Sequence, residues 1–179
     1  MTVESLPQVL VQHPLKGVTR LVLNKHSSFN ALSTEMLQAI SEALSKASAE
    51  EDCRVLVIAA EGKAFSTGHD LREMRANPSH DFYVSLFEKC SRMMLMLQAL
   101  PQPVIAQVQG IATAAGCQLV SMCDLAVAGR SAQFAVSGIQ YGLFCSTPSV
   151  GLSRNMHRKQ AMEMLLTGDF IDAPTAVAR

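Results

Sequence analysis

A chain of 179 residues, 49% apolar and 17% charged, is one domain with room for a substantial core and is not a disordered chain. Its 15 Lys+Arg balance 15 Asp+Glu, so no global field draws in nucleic acid or an anionic membrane. No apolar run reaches membrane-spanning length.

The opening "MTVESLPQVL" has neither a signal peptide's cationic end nor an Arg-rich transit pattern. The hairpin-like pair "VLVQH" and "VTRLVLN", separated by "PLKG", reads as two short strands. In "STEMLQAISEALSKASAE", Met36, Ile40, Ala43, Leu44 and Ala47 recur at helical spacing, with Ser33 placed to cap. "RVLVIAA" reads as a strand buried on both faces. A loop, "EGKAFSTGHD", then leads to "LREMR" and to a longer helix from about Asp81 to Leu100, which "PQP" stops. "VIAQVQ" is a second buried strand, "GIATAAGCQLVSMCD" a turn into a helix, and "LAVAG" a third strand. "RKQAMEMLLTGDF" reads as a helix ending at Gly168. Strand, glycine turn, helix and strand in this order predict an α/β fold with a mostly parallel sheet.

Cys53, Cys90, Cys117, Cys123 and Cys145 show no CxxC pair and fall mostly inside apolar runs. They read as free buried thiols of a reducing compartment, with no metal site among them. The expected location is the cytoplasm or the mitochondrial matrix, either directly or after loss of a targeting segment.

Two segments, "AFSTGHDL" and "GIATAAG", share a design: an apolar strand, a turn of small residues, then a helix. Small residues leave backbone N–H groups uncovered at a helix start. Converging from neighbouring strands, two such turns would donate a pair of hydrogen bonds to one oxygen, each donor contributing about 3–4 kcal/mol to a developing oxyanion. Each turn by itself is equally a tight connection that needs glycine for positive φ. Other motifs fail on inspection. "EGKAFST" lacks a phosphate loop's first glycine, since Val57 holds that position. "GLSRN" has Asn155 where a nucleophile elbow needs its second glycine. His13, His26, His69, His80 and His157 are scattered.

"NAL" at Asn30–Leu32, "AFSTGHDL" at Ala64–Leu71 and "GIATAAGCQLVSMCDLAVA" at Gly110–Ala128 together resemble the enoyl-CoA hydratase/isomerase, or crotonase, family. With "YGLFCSTPSV" at Tyr141–Val150, the likeness is to its enoyl-CoA hydratase domain-containing protein 3 subgroup. The resemblance implies a single domain built as a spiral of ββα units, binding an acyl-CoA thioester in fatty-acid and lipid metabolism. No cofactor is implied beyond the coenzyme A of the substrate. It implies that the N–H groups of His69 and Ala115 form the oxyanion hole. Coenzyme A would lie along Lys25–Leu32 (Lys25, Asn30, Ala31, Leu32) and beside Ala64, His69, Asp70, Leu71 and Arg72, with Tyr141 able to reach the acyl group.

Two departures bear on activity. Relatives activate water with two glutamates, and the matching positions here are Gln118 and Gly138. An amide cannot accept a proton and glycine has no side chain, so efficient hydration is not expected. Isomerisation, thioester hydrolysis, decarboxylation, weak residual hydration and non-catalytic binding stay open, so whether the chain is an enzyme stays open too. Asp70 is placed to cap "LREMR", and packing comes before catalysis for Cys117, Tyr141, Cys145 and the His69 ring. The chain also stops at "IDAPTAVAR", ahead of the C-terminal helices through which family members form trimers or dimers of trimers. Such an assembly is therefore doubtful for this chain.

Overall fold

The computed structural model of the protein describes residues 6–179. "MTVES", part of the opening read above for targeting signals, lies outside the described residues. β1 (Val9–Leu15) and β2 (Val18–Leu23) form the hairpin, with Leu10 opposite Val22. The turn is tighter than "PLKG" suggested. Pro14 and Leu15 stay in β1, which is an edge strand that tolerates proline, and the chain reverses at Lys16–Gly17.

α1 (Thr34–Ser48) starts at its expected cap, where Ser33 Oγ accepts the Met36 N–H at 3.2 Å. Its stripe of Met36, Leu37, Ile40, Ala43, Leu44 and Ala47 is buried and packs against α3 (His80–Ala99). β3 (Val55–Ala60), β5 (Val104–Val108) and β7 (Leu125–Ala128) extend the first sheet in the order β1-β2-β3-β5-β7, all parallel from β2 onward. β3 and β5 are largely buried, as their unbroken apolar runs require. β7 is different: it is the far edge, with Leu125 and Val127 exposed.

A second sheet was not legible from apolar patterning. β4 (Ala64–Ser66), β6 (Ile111–Thr113), β8 (Gln133–Ala135) and β9 (Ile171–Asp172) pair in that order. Two or three residues are too few for a period-2 signal. The chain alternates between sheets, β3 to β4, β5 to β6 and β7 to β8. After each pair it runs into helix: α2 (Leu71–Ala76) and α3, then α4 (Ala115–Ser121), then α5 (Ser146–Asn155) by way of a 3-10 turn at Ser137–Tyr141. This is the ββα spiral. α6 (Arg158–Thr167) ends at Gly168 in the left-handed conformation, and α7 (Ala173–Ala178) follows β9.

What positions the site is the pairing of β4 with β6, parallel, with Ala64 beside Ile111 and Ser66 beside Ala112. The turns that follow these two strands therefore leave the sheet side by side. Among the described residues, no helix is long and apolar enough to cross a membrane.

Candidate active site

The first turn runs from Ser66 to Asp70 and the second from Thr113 to Ala115. They touch backbone to backbone. A Cβ on Gly68 would stand 3.1 Å from the Ala115 nitrogen and 3.0 Å from the Ala114 Cβ, and Gly68 itself has φ +85°. A Cβ on Gly116 would run into the Ser66 carbonyl. Only glycine permits this approach at either position. Among the described residues, neither the His69 N–H nor the Ala115 N–H finds a backbone acceptor. Two amides without backbone acceptors thus flank one junction.

The segment before α1 is tied to β4 and the first turn by Asn30 and Leu32. Asn30, fully buried and left-handed at φ 52°, donates its amide to the carbonyls of Glu61 and Ala64, each at 2.9 Å. Its Oδ1 accepts the Lys25 N–H at 2.9 Å, and its own carbonyl accepts the Ser66 hydroxyl at 2.9 Å. The Leu32 N–H then donates to the Gly68 carbonyl at 2.7 Å. Leu32 and His69 pair as an isolated parallel bridge.

The His69 ring is fixed on two sides. Its Nδ1 lies 3.3 Å from the Leu32 carbonyl oxygen, and its plane meets Phe87 of α3 edge to face at 5.1 Å. Burial pulls the imidazole below its ordinary pKa, opposed more weakly by the Leu32 hydrogen bond and by Glu73. A groove of about 500 Å³ opens along α3 and includes Phe87, Tyr83, Val84 and Leu95 in its walls.

The enoyl-CoA hydratase/isomerase family's sequence pattern matches residues 15–179. The chain belongs to that family. It is 46% identical over 161 residues to the enoyl-CoA hydratase domain-containing protein 3, mitochondrial, of Xenopus laevis, covering 90% of this chain and 55% of the relative. The human protein of that name is 43% identical over 174 residues, 97% of this chain and 57% of its own length. The chain thus spans little more than half of these curated relatives. Among solved structures, an enoyl-CoA hydratase from Mycobacterium smegmatis superposes with TM-score 0.93 at 57% identity, covering 96% of this chain and 67% of that one. Human enoyl-CoA hydratase domain-containing protein 3 superposes with TM-score 0.92 at 42% identity, over 96% and 68%. The subgroup resemblance and the crotonase-type α/β fold hold.

Within this family frame, the structure places the residues named from sequence as follows. His69, Ala115 and the Lys25–Leu32 segment come together around the paired turns. Asn30, Ala31, Leu32 and Ala64 are buried; their part is to shape the segment and its hydrogen bonds, not to present side chains. Asp70 caps α2, its Oδ1 accepting the N–H groups of Arg72 at 2.9 Å and Glu73 at 3.3 Å. Lys25 is paired with Glu35 at 3.4 Å on the surface. Leu71, Arg72 and Tyr141 are exposed.

Gln118 is buried on α4, and its Oε1 has no hydrogen-bond partner. At Gly138 there is no room for a side chain: a Cβ would meet the Leu143 carbonyl at 2.6 Å and Cys145 Sγ at 2.7 Å. Cys117 and Cys145 are buried, and burial pushes the Cys117 thiol up to about 12 and Cys145 upward as well. Both are packing groups rather than nucleophiles.

Two participants escaped the sequence reading. Phe87 contacts His69 from a helix whose pattern only announced a core face. Glu73 sits at the D-x-x-E spacing from Asp70 that signals a reciprocal cap, yet its carboxylate accepts the Thr34 N–H at 2.9 Å and so ties α2 to α1.

Proposed function

We propose that this family member binds an acyl-CoA thioester with the carbonyl oxygen between the His69 and Ala115 N–H groups, in fatty-acid or acyl-CoA metabolism. The observation that carries the reading is the backbone contact of the two turns, which leaves both amides without backbone acceptors. The pantetheine would follow Lys25–Leu32, and an apolar acyl chain would pass His69 towards Phe87. Efficient enoyl hydration is not its role, because Gln118 cannot take a proton and Gly138 has neither a side chain nor space for one. The relatives' names read mitochondrial; the mitochondrial matrix is the proposed location, with the cytoplasm as its alternative. A homotrimer is the expected assembly of a complete family member.

The second reading is a non-catalytic acyl-CoA binder or regulator of lipid metabolism, favoured by the filled space at Gly138. One experiment separates the two. The protein is titrated calorimetrically with saturated, 2-enoyl, 3-enoyl and malonyl-type CoA thioesters, and each mixture is scanned by mass spectrometry and chromatography. Binding with a product mass or a shifted isomer supports a lyase or isomerase. Binding without any product supports the binder. Absence of binding by every thioester would sink both.

A further inference from the structure

In the neutral imidazole one nitrogen carries the proton and the other a lone pair. The Leu32 carbonyl oxygen can only accept, so its contact with His69 at 3.3 Å places the proton on Nδ1. Nε2 is then left with the lone pair. An oxygen that accepts from the His69 backbone N–H sits about 3 Å from that backbone nitrogen. C2 of a thioester lies two bonds beyond that oxygen, and the imidazole belongs to the same residue as one of the two donors. Fixed by Leu32 on one side and Phe87 on another, the ring has few other places to go.

We propose that the His69 imidazole is the proton-transfer group of this site, its Nε2 removing and returning a proton at C2 of the thioester held by the His69 and Ala115 amides. The proposal rests on the acyl-CoA reading above. In the step, the Nε2 lone pair takes the proton and the C2–H pair becomes a C1–C2 double bond. The carbonyl π pair moves onto the oxygen as an enolate, which the two N–H groups hold. Imidazolium then returns a proton to C2, and no co-reactant is needed.

The groups around the ring leave this task to His69. From α2, Asp70 is engaged as a cap and Glu73 accepts the Thr34 N–H. α3 presents Phe87, and the segment before α1 presents a carbonyl, with Lys25 paired to Glu35. On α4, the Gln118 amide cannot take a proton and burial pushes the Cys117 thiol up to about 12. Burial keeps the imidazole neutral, and hence basic at Nε2, through neutral pH.

The test is deuterium exchange at C2. The protein is incubated with hexanoyl-CoA in heavy water, the thioester's mass is followed, and binding is measured in parallel by calorimetry. The wild-type chain should add up to two deuterons. His69→Asn, whose side-chain N–H can still reach the Leu32 carbonyl, should bind within about threefold but exchange at least about 100-fold more slowly. Wild-type exchange should be flat through neutral pH and fall only below the ordinary imidazole value of 6.5. This profile needs no variant. Binding without exchange, wild-type exchange rates in His69→Asn, or a profile that already falls above the ordinary imidazole value of 6.5 would each overturn the proposal. Failure of the wild-type chain to bind hexanoyl-CoA would instead overturn the acyl-CoA reading, and this inference with it.

Discussion

At the first turn a glycine carries the positive φ and a carboxylate caps the helix that follows; at the second an alanine carries it and no side chain caps α4. Gly68 has φ +85° and Asp70 satisfies two N–H groups of α2. Ala114 has φ 50° and ψ −123°, a region that costs a non-glycine residue about 1–3 kcal/mol. The second turn therefore keeps its amides bare at a cost in stability, and the first holds it in shape by pressing Gly68 against Ala114 and Ala115. An uncapped helix start at a strained turn fits the oxyanion site proposed there.

The comparison breaks most directly at Gly116. Gly116→Ala drives a methyl group into the Ser66 carbonyl, and backbone cannot swing aside as a side chain does. The expected loss is about 3 kcal/mol or more in denaturant unfolding, with thioester affinity lost by calorimetry. Asn30→Leu comes next. It removes three side-chain hydrogen bonds, two of them to the carbonyls of Glu61 and Ala64, and places a branched residue at φ 52°. About 2–3 kcal/mol should be lost, with affinity falling because the Lys25–Leu32 segment is released. Asp70→Ala tests the capped turn alone and should cost about 1 kcal/mol. Ala114→Gly tests the uncapped one and should have the opposite sign. Relief of strain outweighs the added chain entropy, for a gain of about 0.5 kcal/mol in thermal or chemical unfolding. A loss there would contradict the account of the second turn.

The same two turns show how far sequence carried the reading. β2, β3, β5, α1 and α3 were legible because burial imposes a pattern on six or more residues, or a continuous apolar run on fewer. Ser33 and Gly168 were legible because caps have residue signatures. β4, β6 and β8, which aim the turns, are three residues each and leave no periodic trace. The role of Asn30 is long-range, joining residues 31 and 34 positions away, so "NAL" pointed to it only through resemblance. Nothing local connects His69 with Phe87. That Gln118 and Gly138 offer no carboxylate was plain from residue identity, but not that a Cβ at Gly138 would collide with the Leu143 carbonyl. Restoring a carboxylate is therefore an experiment for Gln118→Glu alone.

The most direct test of the central claim is isotope-edited infrared difference spectroscopy of a carbonyl-¹³C acyl-CoA thioester bound to the protein. Two backbone N–H donors on the oxygen predict a carbonyl stretch displaced to lower frequency than in solution, and Gly116→Ala should abolish that bound signal. A thioester that binds with its carbonyl stretch unshifted would contradict the claim that the His69 and Ala115 amides hold its oxygen.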